Sequence, residues 1–156
     1  MINISIPGWR ELRLAHLVLD YNGTLACDGR LIEGVSPLLV VLAAQLEVHI
    51  VTADTFGSVE RMFAGTSYRI YKLPAGNEEQ GKLRYVRDLG VESVVCIGNG
   101  RNDRLMLKAA ALGVAVQQRE GLALDALLAA DLVTPGIVDA LELLLYPLRL
   151  VATLRC

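Results

Sequence analysis

His16-Leu17-Val18-Leu19-Asp20-Tyr21-Asn22-Gly23-Thr24 decides the reading of this chain. An apolar run this short, closed by a carboxylate and then by a turn-forming Asn-Gly pair, reads as a buried strand that ends at a polar rim. The same pattern recurs along the chain. Val48-His49-Ile50-Val51 runs into Thr52-Ala53-Asp54-Thr55, and residues 93–97 run into Gly98-Asn99-Gly100-Arg101-Asn102-Asp103.

Between these strands lie segments with helical patterning. Residues 36–45 read as a helix, with Ser36 as N-cap and Pro37 in the first turn. A short helix is expected around 57–63 and a strand over 68–73. Residues 78–89 read as a helix stopped by Gly90, and residues 102–112 as a helix stopped by Gly113. Further on come a strand at 114–116, a helix over 122–130, a short strand at 132–133 and a helix over 137–145. Pro147 interrupts there, and 148–154 continues helically. Residues 3–6 and 11–14, separated by Pro7-Gly8, read as an N-terminal hairpin. Strands alternating with helices imply right-handed crossovers and an open, mostly parallel, Rossmann-like sheet with helices on both faces.

Composition agrees. The 156 residues suit a single domain spanning 1–156, and 53% apolar against 21% charged residues is the balance of a chain with a packed core. A net charge of -2 gives no reason to expect nucleic acid or an anionic membrane as partner. No stretch reaches the ~18 or more uninterrupted apolar residues of a membrane span, and the N-terminus lacks the basic start of a leader. The expected location is cytoplasmic. Cys27, Cys96 and Cys156 are odd in number and lack CxxC spacing, which argues against a disulfide framework or a zinc site. His16 and His49, with no third ligand nearby in sequence, read as structural.

In open sheets of this kind ligands bind beyond the carboxyl ends of the strands. Collecting the polar residues there gives Asp20, Asn22, Gly23 and Thr24; Thr52, Ala53 and Asp54; and Asn99, Asn102 and Asp103, with Lys82 near the start of a helix between them. Singly, each has a structural explanation as a cap, a turn former or a solvated lysine. Together they fit phosphoryl transfer, which needs an in-line nucleophile, neutralisation of the equatorial oxygens and a metal. Asp20 can attack phosphorus. Thr52 and the backbone near Ala53 can donate to phosphoryl oxygens, and Lys82 supplies a point charge. Asp103 and Asp20 offer hard oxygens for Mg²⁺, with a backbone carbonyl near Asn22. Gly23 permits a sharp turn and Thr24 can tie it together.

This set resembles the haloacid dehalogenase (HAD) superfamily, and within it the phosphorylation domain of P-type ATPases and small stand-alone proteins like it. There the segments read Asp-Lys-Thr-Gly-Thr, Thr-Gly-Asp and Gly-Asp-Gly-x-Asn-Asp. Here they read Asp20-Tyr21-Asn22-Gly23-Thr24, Thr52-Ala53-Asp54 and Gly98-Asn99-Gly100-Arg101-Asn102-Asp103. The resemblance implies a Mg²⁺-dependent phosphohydrolase working through an aspartyl phosphate on Asp20, with Asp54 and Asn102 in support and a phosphorylated substrate.

Two positions depart from the pattern. Asn22 stands where HAD phosphatases usually carry an acid-base aspartate, and an amide cannot shuttle a proton. Asn99 stands where the metal loop usually has an aspartate; its amide oxygen can ligate Mg²⁺ but brings no charge. Slow or specialised turnover, or a binding and regulatory module with little turnover, are the two expectations. Segments 25–51 and 53–81 leave no room for a cap or a nucleotide-binding domain, so ATP is not an expected substrate. The apolar C-terminal stretch Leu143-Leu144-Leu145-Tyr146-Pro147-Leu148 is expected either to cover the core or to form a homo-oligomer interface.

Overall fold

The computed structural model describes residues 1–53 and 57–156. The chain opens with an antiparallel hairpin, β1 (Ile2–Ile6) and β2 (Arg10–Leu14), in which Ile2, Ile4, Ile6, Leu12 and Leu14 all point inward with strand periodicity. It then enters β3 (His16–Asp20), the centre of the main sheet. A two-stranded hairpin, β4 (Ala26–Cys27) and β5 (Arg30–Leu31), follows, then α1 (Val35–Ala43), β6 (Glu47–Thr52), α2 (Ser58–Met62) and β7 (Arg69–Lys72). The second half holds α3 (Glu78–Leu89), β8 (Val94–Gly98), α4 (Arg104–Ala109), β9 (Leu112–Val116), α5 (Leu124–Ala129), β10 (Leu132–Thr134), α6 (Ile137–Leu145) and α7 (Pro147–Leu154).

Among the described residues the main sheet has the order β10-β9-β8-β3-β6-β7, and every pairing is parallel. A parallel sheet must be covered on both faces, which is why its strands are apolar throughout rather than alternating. Leu17 and Leu19 of β3 face a core layer built with α1, α6, α7 and the N-terminal hairpin. Val18 faces the other layer, formed with Val86 of α3, Met106 and Leu107 of α4, and Ala126 of α5. The expected architecture is therefore present. The links from β3 to β6 and from β6 to α3 hold only short elements and no cap domain among the described residues.

Three local expectations are corrected. Helix α1 is entered from Gly34, which sits in the left-handed region at φ 87°, and Ser36 lies inside the first turn instead of capping it. The segment expected as one helix over 102–112 is split: a 3₁₀ turn at Arg101–Asp103, then α4 ending at Ala109. Leu112 and Gly113 belong to β9, where Gly113 is no helix stop but a point of contact. A methyl carbon on Gly113 would lie 2.3 Å from the Leu107 carbonyl oxygen, so the glycine lets the α4 backbone sit against the strand. The hairpin β4–β5 was not expected, its strands being only two residues long.

The apolar C-terminus covers the core. Helix α6 buries Ile137, Ala140, Leu141 and Leu144, and α7, started by Pro147 at its first turn, buries Leu150 beside the N-terminal hairpin. Tyr146 and Leu148 remain exposed. No described helix is long and apolar enough to cross a membrane.

The close approach at Gly113 gives a direct check. Gly113→Ala is expected to destabilise the fold by about 1–3 kcal/mol through overpacking against backbone, read as a lowered urea midpoint. An unchanged midpoint would mean that α4 moves freely away from the sheet.

Candidate active site

The order of the sheet sets the site. Strands β8, β3 and β6 are neighbours, so Gly98, Asp20 and Thr52 end side by side on one rim. Asp20 pairs with Val51 in register, which puts Thr52 one step beyond it. Because side chains alternate along a strand, Asp20 faces the same side as Val18, the side covered by α3 and α4. Lys82 extends from the second turn of α3 toward this rim and is buried, with 1% of its surface exposed.

Its ammonium joins the strand ends. Lys82 Nζ donates to Asp20 Oδ1 and to Asp103 Oδ1, each at 2.6 Å, and lies 3.3 Å from Asn102 Oδ1. The remaining oxygen of Asp103 is clamped by its own loop: Oδ2 accepts from the backbone amides of Asn99 at 3.0 Å and Gly100 at 2.8 Å. That arrangement fixes the 3₁₀ turn and supplies the hydrogen bonds that compensate the full burial of Asp103. Asn102 turns its amide nitrogen to Glu78 Oε2 at 2.7 Å, tying the loop to the start of α3.

The turn after β3 is held from the other side. Thr24 Oγ1 donates to Asn99 Oδ1 at 3.2 Å, and Asn99 Nδ2 donates to the Gly121 carbonyl at 3.0 Å. Gly23 adopts φ 78°, and a methyl carbon there would fall 2.5–2.9 Å from the Asn99 amide atoms. Only glycine satisfies both the backbone angle and that contact. Gln118, just past the end of β9, donates through Nε2 to the carbonyls of Gly23 at 2.9 Å and Thr24 at 2.6 Å, and accepts at Oε1 from the Ile137 amide.

Two carboxylates share one ammonium, so the buried cluster carries excess negative charge. Burial first, and then the Asp103 carboxylate, push the Asp20 carboxyl up to about 7 against the pull of Lys82. Burial disfavours the Lys82 ammonium, but the Asp20 and Asp103 carboxylates outweigh it and hold its pKa above the ordinary lysine range. A cluster of hard oxygens short of positive charge suits a divalent cation, and the donor set fits Mg²⁺ better than a softer metal, having no sulfur or imidazole.

The structure brings the candidate residues Asp20, Asn22, Ala53, Lys82, Asn99 and Asn102 to one cleft of about 530 Å³. Asn22 is exposed at its mouth, Thr52 is buried at the end of β6, and Asp103 sits beneath the cleft. Asp54 lies outside the described residues. Asn99 is placed among the others, but both ends of its amide are engaged by Thr24 and Gly121. Glu78, Arg101 and Gln118 were missed. Gln118 carried the same signal as the rest, a polar residue just after a strand, here β9. A separate, larger cleft of about 760 Å³ is lined by Cys27, Asp28, Arg30, Glu33, Gln118 and Arg119 among others. It contains none of the phosphoryl-transfer candidates.

No protein-family model matches the chain. An uncharacterized protein of Methanocaldococcus jannaschii, MJ0073, is 43% identical over 84 residues, covering 51% of this chain and 90% of that protein. Among solved structures, a Legionella pneumophila protein described as a HAD superfamily (subfamily III A) hydrolase superposes with a TM-score of 0.69 at 19% identity, covering 90% of this chain and 88% of that one. The 3-deoxy-D-manno-octulosonate 8-phosphate phosphatase of Moraxella catarrhalis, crystallised with magnesium, phosphate and KDO, gives 0.67 at 17% identity, covering 91% and 94%. A zinc-transporting PIB-type ATPase gives 0.62 at 20% identity over 80% of this chain and 20% of that far longer one. The chain therefore belongs to one family with the Methanocaldococcus protein, and its fold is that of the HAD superfamily.

Proposed function

We propose that this protein is a Mg²⁺-dependent phosphohydrolase that works through an aspartyl phosphate on Asp20. The observation that carries the reading is the Lys82 ammonium held 2.6 Å from both Asp20 and Asp103 at the rim of the central strands. Such a cation pins the nucleophile in one rotamer and waits, already desolvated, where phosphoryl charge would arrive.

In the proposed first step an Asp20 carboxylate oxygen forms a bond to phosphorus, and the bond from phosphorus to the leaving oxygen breaks, its electron pair departing with that oxygen. Thr52 and the backbone at Ala53 donate to the equatorial oxygens, and Lys82 balances their charge. Water then attacks phosphorus, the acyl phosphate bond breaks, and Asp20 is regenerated as carboxylate. Asp20, Asp103 and the backbone carbonyl near Asn22 would hold Mg²⁺, which supplies Lewis-acid neutralisation of the phosphoryl oxygens. Asn99 contributes by positioning, since its amide ties Thr24 to Gly121.

Asn22 shapes the substrate class. It lines the cleft but cannot protonate a leaving oxygen. A leaving group stable as an anion, as in acyl phosphates or pyrophosphoryl species, needs no such proton. The second reading, a phosphate- and metal-binding module with little turnover, is favoured by the same Asn22 and by the engaged amide of Asn99.

A Mg²⁺-dependent screen against acyl phosphates, phosphate esters and phosphoproteins tests the proposal. Phosphate release with acetyl phosphate is expected, falling to background in Asp20→Asn and after chelation. A folded protein that binds Mg²⁺ yet turns over nothing in the panel would favour the second reading. Asn22→Asp is expected to raise turnover of an aryl phosphate ester, by up to about 10²- to 10⁴-fold, the range of general acid-base help. No increase would refute the role given to Asn22.

A further inference from the structure

At the opposite end of the sheet, two imidazoles and a carboxylate meet. His16 opens β3 and pairs in register with Glu47, the first residue of β6. His49 lies two residues further along β6 and so shares the face of Glu47. The outcome is a triangle: His16 Nδ1 is 3.1 Å from His49 Nε2 and 3.1 Å from Glu47 Oε2, and His49 Nε2 is 3.6 Å from the same oxygen. We infer that His16, Glu47 and His49 form a binding site for a divalent transition-metal ion of the Zn²⁺ class, separate from the phosphoryl cleft.

The spacing carries the inference. Ligands about 2.0–2.1 Å from a tetrahedral zinc lie about 3.3–3.4 Å from one another, and the three edges here bracket that value. Two nitrogen donors and one oxygen donor select zinc or a neighbouring transition metal over Mg²⁺ or Ca²⁺. The outer partners suit the role. The Tyr85 hydroxyl lies 2.7 Å from His49 Nδ1, so a proton on Nδ1 leaves the Nε2 lone pair aimed at the centre of the triangle. Tyr85 is itself stacked on Tyr71, with ring centroids 4.2 Å apart. Arg69 pairs with Glu47 Oε1, leaving Oε2 to face the rings. His16 and Glu47 are 21% and 34% exposed at their side chains, so solvent reaches the fourth position.

The site stands about 13 Å from Asp20, the rise of four strand residues. Helix α3 spans the interval, with Lys82 at the phosphoryl end and Tyr85 one turn on at the metal end. This inference does not rest on the phosphohydrolase reading, and its test needs no turnover.

Zinc affinity is measured on the untagged full chain by competition with a chromophoric chelator, in excess Mg²⁺ so that the phosphoryl site does not contribute. One Zn²⁺ equivalent per chain is expected, retained in Asp20→Asn and lost in His16→Ala and in Glu47→Gln, both partly exposed positions that leave the core intact. Tyr85→Phe should weaken binding by about 10- to 100-fold, as removal of an outer partner does. Co²⁺ should show the visible bands of a four-coordinate site in wild type and lose them in His16→Ala. Absence of a zinc equivalent in wild type, or equal affinity in His16→Ala and Glu47→Gln, would overturn the inference.

Discussion

One ammonium between two buried carboxylates organises this molecule. Lys82, Asp20 and Asp103 come from α3, β3 and the loop after β8, and each is nearly inaccessible to solvent. Burying such charges costs several kcal/mol per ion unless geometry and further hydrogen bonds compensate. Here they do: Asp103 takes two backbone amides on its second oxygen, and Lys82 reaches a third oxygen on Asn102. Deleting Lys82 would leave two carboxylates in the core with no counter-charge, which makes the triad a poor choice for stability alone. Hydrophobic residues of similar volume would do that task as well. A charge cluster kept at a strand-end rim beside a cleft is the arrangement that the proposed phosphoryl and Mg²⁺ binding would require.

The rest of the fold serves this placement. The strand order puts β8, β3 and β6 side by side, so that residues far apart in sequence end on one line. The apolar layers above and below keep those strands rigid, and a rigid frame is what holds reacting groups in productive geometry. The turn after β3 is fastened by contacts from Asn99, Gly121 and Gln118, so the loops of β3, β8 and β9 form one connected rim.

Much of this was legible in the sequence, for a physical reason. Buried parallel strands are written as continuous apolar runs, and the residue after each run must lie at the rim. That rule pointed to Asp20, Thr52, Asn99 and Asp103, and their joint occurrence on successive strand ends gave Lys82 its meaning among ordinary helix lysines. What stayed hidden depends on register or on close backbone approach. Gly113 looked like a helix stop because the contact it makes, with the Leu107 carbonyl, leaves no local signature. Gln118 acts through hydrogen bonds to residues 94 and 95 positions away. The His16, Glu47 and His49 triangle was invisible because Glu47 and His49 look like an ordinary strand start, and only the pairing of β3 with β6 supplies His16 as their neighbour.

The central claim is that Asp20 accepts a phosphoryl group. The most direct measurement is to incubate the protein with Mg²⁺ and acetyl phosphate, quench in acid, where acyl phosphates survive, and locate the adduct by peptide mass spectrometry. The account predicts a phosphoryl group on Asp20, released by hydroxylamine and absent from Asp20→Asn. Phosphate release without any adduct on Asp20, or an adduct on a different residue, would contradict it.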